Sequence, residues 1–222
     1  MNKNSTYQYK LERYKYVIVL LALISFILIP VYESIFPVSS SLIVEANFTL
    51  VIVAGLSICR NLKNNYYYYI FGILTLINIW LEFSNPDITN IKLIRLTSSL
   101  LLFVFLSYIL IEQLINDQSF NLNSILGAIS GYLFIGLIGG MMFETMQYLN
   151  PESFIGMGID ASYTFYYFSF ISITSVGYGD VTPASPSSQA ITILMNIIGQ
   201  FYLAVVVAVF VGKFLNTNSK SN

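Results

Sequence analysis

Apolar residues fill six long stretches of this chain, at about 16–36, 41–59, 66–83, 92–114, 124–149 and 186–215. Each reaches the roughly 20 residues that an α-helix needs to cross a lipid core. The first contains Pro30. The fifth ends at Asn150-Pro151, and the sixth opens on Ser185-Pro186, a capping residue followed by a proline suited to a first helical turn. Between them, Ala161 to Ile173 is apolar and aromatic but only about 13 residues, roughly 20 Å as a helix. That is too short to cross about 30 Å of hydrocarbon. The pattern predicts an all-α membrane protein of six transmembrane helices, with a re-entrant half-helix and loop between the fifth and sixth. Irregular backbone after such a half-helix is tolerated at membrane depth only where protein buries it or water lines it, and a pore supplies that setting.

Composition agrees with lipid as the solvent. Hydrophobic residues make up 56% of the 222 and charged residues only 9%, too few to cover a soluble globule. The net charge of −1 gives no basic excess and points away from nucleic acid. Histidine is absent, which removes the commonest general base and metal ligand, and no nucleophile or acid-base constellation suggests an enzyme. The single Cys59 falls in an apolar stretch and reads as a small buried hydrophobe.

Basic residues set the orientation. Lys3, Lys10, Arg13 and Lys15 precede the first stretch, Arg60 and Lys63 follow the second, and Lys213 and Lys220 close the chain. By the positive-inside rule these eight lie in the cytoplasm. Both termini are then cytoplasmic, in a multi-pass protein of the plasma membrane, and the half-helix enters from outside. The first 40 residues have the basic start and apolar run of a secretory signal, but the run is long and shows no clear small-residue cleavage site, so an uncleaved anchor is expected. Lys92 and Arg95 start the fourth stretch at its outer end, level with Glu45 and Glu82. The four either pair, since a charge within lipid costs about 2.5 to 3.5 kcal/mol, or snorkel separately to the interface.

The segment after the half-helix reads Thr174-Ser175-Val176-Gly177-Tyr178-Gly179-Asp180. For successive carbonyls to face one axis and replace the hydration shell of a cation, the backbone must alternate in handedness, because an ordinary strand alternates its groups. Gly177 and Gly179 can adopt the positive φ this requires, and they leave room at a crowded centre. The segment resembles the potassium-channel filter motif TTVGYGD, with Ser175 in place of the second threonine. The resemblance covers about 124–215 well and the first four helices in number and order only.

Several expectations follow from that resemblance. The carbonyls of Ser175, Val176, Gly177, Tyr178 and Gly179 form stacked K⁺ sites, with the Ser175 hydroxyl at the innermost. K⁺ is the transported ion, and no organic cofactor is implied. Serine keeps the oxygen but lacks the methyl that stiffens threonine. Thr174, Asp180 and Tyr167 support the filter, Tyr167 either bonding Asp180 or packing behind the loop. The half-helix carries about half a negative charge at its C-terminal end, which would point into the cavity below the filter. One filter segment and no internal repeat mean that a closed ring needs several chains, a homotetramer in this family.

The implied organisation is a cytoplasmic N-terminal segment (1–15), a four-helix membrane domain (16–114), a cytoplasmic linker (115–123), a pore domain (124–215) and a short cytoplasmic tail (216–222). Gly199 lies 20 residues after Gly179 and serves either as the hinge that similar channels carry or as a packing glycine. Gln200, Leu203, Val207 and Val211 share one helical face and are expected to line the cavity, with Val207 or Val211 as a constriction. The pairs Gly127/Gly131 and Gly136/Gly140 have GxxxG spacing, which fits close helix packing or ordinary membrane glycine. The fourth helix offers only Lys92 and Arg95 where steep voltage gating uses three or four charges, so voltage dependence should be slight. With seven residues after Leu215, no soluble gating domain is expected there. The reading is a passive potassium-selective channel subunit. The alternatives are a less selective cation channel, or a membrane sensor or scaffold with a vestigial pore segment.

Overall fold

The computed structural model describes residues 3–36, 38–62, 65–86, 88–117, 122–156 and 161–219, with backbone only for 3–13, 61, 89, 161–162 and 214–219. Lys63, Lys220, the middle of the 115–123 linker and the last three tail residues lie outside the described residues, as do the side chains of Lys3, Lys10 and Arg13.

Eight α-helices are described: α1 (Lys3–Ile27), α2 (Ile29–Ile35), α3 (Ser40–Leu56), α4 (Tyr66–Ser84), α5 (Thr89–Asn116), α6 (Leu122–Leu149), α7 (Ala161–Ile173) and α8 (Pro186–Ser219). A tight 3₁₀ turn, Ser57–Asn61, extends α3, and two short strands, β1 (Phe154–Ile155) and β2 (Thr182–Pro183), pair antiparallel. A helix therefore forms over every apolar stretch. Four are long and apolar enough to cross a membrane: Ser40–Arg60, Asn90–Asn116, Leu122–Leu149 and Pro186–Lys213. A fifth is reached if Tyr14–Ile27 and Ile29–Ile35 count as one bent span.

Two departures from the expected six spans have local causes. The first span bends by 59° between α1 and α2. Pro30 sits at the start of α2, lacks an amide hydrogen and crowds the carbonyl four residues earlier, so a straight helix cannot pass through it. Helix α4 forms but does not reach the hydropathy of the other spans, because it begins with four tyrosines and carries Asn78 and Glu82. The segment before the first span is itself helical from Lys3.

The chain divides into two compact units. The first comprises residues 1–95 and 105–131, the second 96–104 and 132–222. In the first unit α3 packs on α1 and α4, with Phe26 and Phe48 edge to face at 5.0 Å. Gln113 ties this unit together. Its carbonyl accepts from Lys15 Nζ at 2.7 Å and from the Tyr16 hydroxyl at 3.2 Å, while its amide donates to the Ile58 carbonyl at 3.0 Å. Arg95 is buried, with Nε 3.0 Å from Glu82 Oε2 and a terminal nitrogen 3.9 Å from Glu45 Oε1. Of the two arrangements open to these charges, the structure shows an ion pair that joins α5 to α4 and reaches α3.

In the second unit the core is aromatic. Phe143 of α6, Phe154 of β1 and Phe165 and Phe168 of α7 meet with ring centroids 5.1 to 5.9 Å apart. Ile135, Ile171, Val181 and Met195 close the cluster. Aromatic rings contribute large buried area and about 0.5 to 1.5 kcal/mol per pair beyond it. This cluster holds α7 between α6 and α8.

Candidate functional site

Helix α7 can lie close against α6 because α6 presents glycines to it. A Cβ on Gly136 would run into the Phe170 ring, one on Gly139 into Ser169 and one on Gly140 into Tyr166. Into the space they leave, Ser169 donates to the Gly136 carbonyl at 2.7 Å and the Tyr166 hydroxyl donates to Glu144 Oε2 at 3.0 Å. The Gly136/Gly140 pair therefore serves packing within the chain.

Where α7 ends, the backbone doubles back on its last turn. The amides of Val176 and Gly177 both donate to the Ile171 carbonyl, at 2.9 and 3.1 Å, and that of Ser175 donates to Ser172 at 2.9 Å. In a planar trans peptide the carbonyl opposes the amide hydrogen of the next residue. The Thr174, Ser175 and Val176 carbonyls are therefore aimed away from α7. Gly177 has φ +51° and Gly179 φ +81°. Ser175 also has positive φ, +62°, the one such non-glycine among the described residues. Handedness alternates from 175 to 179, with Val176 and Tyr178 in the ordinary range. The sequence reasoning assigned this role to the glycines alone. Serine in the left-handed region costs about 1 to 2 kcal/mol and needs support from its surroundings.

Helix α8 reaches the serine side chain. The Gln200 amide nitrogen donates to the Ile173 carbonyl at 3.0 Å and to the Ser175 hydroxyl oxygen at 2.9 Å. Beside it, Gly199 lets α8 touch the end of α7, since a Cβ there would stand 2.9 Å from Ile173 Cβ. Helix α8 runs through Gly199 without a break, so in this conformation the glycine is a packing contact. The sequence reading placed Gln200 on a cavity-lining face, but its partners were not legible.

The last carbonyls of α7 are more fully used than the helix-dipole argument assumes. Phe170 accepts from the Thr174 amide at 3.1 Å and its hydroxyl at 2.6 Å, and Ile171 and Ser172 accept from the doubled-back loop. Ile173 accepts from the Tyr132 hydroxyl at 3.0 Å and from Gln200. These donors draw on the partial negative charge of the helix end. Nothing in the sequence distinguished Tyr132 from the 16 other tyrosines.

On the far side of the loop, the Tyr167 hydroxyl donates to Asp180 Oδ2 at 2.7 Å. This bond holds the Asp180 carboxyl below its ordinary range, since it favours the charged form. Behind Asp180, Gly156 adopts φ +88° and a Cβ there would strike the Asp180 carbonyl. Pairing of β1 with β2 brings this turn alongside. Helix α8 begins where its capping signals indicate: Ser185 Oγ accepts from the Ser188 amide at 3.2 Å, and the Ser188 hydroxyl donates to the Ser153 carbonyl at 2.7 Å.

Every residue from Thr174 to Asp180 is exposed on the chain, including Val176 at 52% and Tyr178 at 73%. Gln200, Leu203, Val207 and Val211 are exposed as well. Exposure does not single out their face, because Ile193, Leu194, Ile197, Ile198, Phe201 and Val205 are equally open. Only 11% of the most apolar window of α8 is buried.

Residues 127–216 match the family model described as an ion channel. The matched segment holds most of α6, all of α7, the filter-like loop and α8 almost to its end. No curated protein and no solved structure matches the chain. The match supports an ion-channel domain over these residues, and with the long apolar helices it supports a chain that crosses the membrane more than once.

Proposed function

We propose that this protein is one subunit of a potassium-selective channel in which four copies close a ring around the loop 174–180. The observation that carries the reading is the backbone of that loop. Its handedness alternates at 175, 177 and 179, and its amides are turned back onto α7, so the Ser175 and Val176 carbonyls are free to face an ion. One chain presents a single wall of such oxygens, and a dehydrated cation needs them on all sides. The exposed loop and the apolar, open flank of α8 are the surfaces that further copies would cover.

In this reading the chain crosses the membrane six times, α7 enters from outside and returns, and both termini are cytoplasmic. Ions pass from the filter into a cavity lined by Gln200, Leu203, Val207 and Val211, with Val207 or Val211 as the narrowest ring. Opening by a bend at Gly199 would pull α8 from Ile173, the contact that the glycine makes in this conformation. Voltage contributes little. Lys92 and Arg95 are the only basic residues of α5, and Arg95 is buried against Glu82. Three or four mobile charges per subunit are needed for steep gating. Patch recordings that resolve several gating charges per subunit would contradict this part of the proposal.

The test is purified protein in liposomes, with K⁺ and Na⁺ flux measured separately. Selective K⁺ flux supports the reading. Equal K⁺ and Na⁺ flux identifies a less selective cation channel, and flux of neither ion leaves a sensor or scaffold with an inactive pore segment.

A further inference from the structure

We propose that Gln200 is the positioning residue of the innermost ion site, holding Ser175 in its left-handed conformation and fixing the direction of its hydroxyl. The proposal rests on the channel reading for the word ion, and on geometry alone for the tether.

The amide of Gln200 can be oriented without ambiguity. The Ile173 carbonyl can only accept, so the group 3.0 Å from it is the NH₂, and the same nitrogen lies 2.9 Å from Ser175 Oγ. Its two hydrogens are thereby used, one on each partner. Ser175 Oγ consequently accepts, which leaves a further lone pair for a cation. Two independent features show that Ser175 needs holding. It is the one non-glycine with positive φ among the described residues, and serine lacks the γ-methyl that restricts the side-chain torsion of threonine.

The anchor of the tether is itself fixed. Gly199, the preceding residue, lies against Ile173, so the root of the Gln200 side chain cannot drift while that contact lasts. The stiffness that threonine would carry in its own side chain is supplied here by a hydrogen bond from the inner helix. A consequence follows for regulation. Any displacement of α8 at Gly199 acts directly on the innermost site through the Gln200–Ser175 hydrogen bond.

The experiment is a double-mutant cycle on the full-length protein in liposomes, with Gln200→Met, which keeps length and removes both donors, Ser175→Thr, and the two combined. Gln200→Met should lower the K⁺/Na⁺ flux ratio at least about fivefold, the factor that one neutral hydrogen bond is worth in a single subunit. Measured in the Ser175→Thr background, the further loss from Gln200→Met should shrink to within about twofold, because the added methyl fixes the hydroxyl direction that the Gln200 bond otherwise sets. An equal loss from Gln200→Met in both backgrounds, or none in either, overturns the proposal. Should Gln200→Met fail to fold, Gln200→Asn, one methylene short of both acceptors, goes through the same cycle. Thermal unfolding of the four proteins in detergent reads the tether without conduction. Coupling there with no wild-type K⁺ flux would sink the channel reading and leave the tether standing; absence of coupling would sink the tether.

Discussion

Gly177→Ala separates backbone handedness from packing. Within one chain no atom beyond the adjoining residues lies within 4 Å of where the new Cβ would stand, so the substitution meets no clash. The cost is conformational, since φ is +51° and an L-residue in that region is disfavoured by about 1 to 2 kcal/mol. The variant can bear this cost or escape to negative φ. Escape rotates the 176–177 peptide, takes the Gly177 amide off the Ile171 carbonyl at 3.1 Å and swings the Val176 carbonyl away from the ion path. If four copies contribute independently, the penalty is about 4 to 8 kcal/mol, a loss of about 10³ to 10⁶ in the population of the conducting ring. The expected result in liposomes is K⁺ flux reduced by at least about a hundredfold. Circular dichroism and apparent mass in detergent should stay at wild-type values, because the helices do not depend on this φ. Wild-type flux with an unchanged K⁺/Na⁺ ratio would refute the argument, since it would mean that the left-handed geometry at 177 does not matter to conduction.

Other predictions rest on other contacts. Tyr167→Phe removes the hydrogen bond that holds the Asp180 carboxyl below its ordinary range. A depressed carboxyl stabilises the fold above the unfolded value of about 3.9, and that stabilisation is lost as pH falls through the lower folded value. K⁺ flux measured against external pH should therefore fail at a higher pH in the variant, and an unshifted acid limb would count against the bond. Gly140→Leu drives a side chain into Tyr166 and displaces it from Glu144. Overpacking of this kind costs about 1 to 3 kcal/mol and should lower the midpoint of thermal unfolding, with Gly140→Ala intermediate. Arg95→Met leaves Glu82 and Glu45 without their shared cation. Loss of one partner of a buried pair costs about 3 to 5 kcal/mol, and the single tryptophan, Trp80, lies on the same helix as Glu82 and can report unfolding by its fluorescence.

Much of the fold and part of the site were legible in the sequence because each depends on local chemistry. Helix α7 occupies the same 13 residues that the apolar run marked out, between a polar lead and the filter-like segment. Pro30 was visible within the first stretch, but the 59° bend beside it was not expected. The glycines at 177 and 179 could be read as left-handed positions because few other residues tolerate them. Ser175 could not, since serine gives no such signal and the residue that bonds its hydroxyl, Gln200, lies 25 residues away. The same limit hid Tyr132 and Glu144, whose partners are 41 and 22 residues distant.

The sequence by itself determined which segments are apolar enough to leave water, where helices start and stop, and which short loop has the backbone freedom to present its carbonyls. Hydropathy, capping and glycine are properties of residues and their near neighbours. The tertiary structure decided how α7 is seated on the glycines of α6, how Arg95 is paired, and which donors hold the end of α7 and the start of the loop. Those outcomes depend on side chains meeting across long separations, and hydrogen bonds and close packing depend on distances that the linear pattern does not contain.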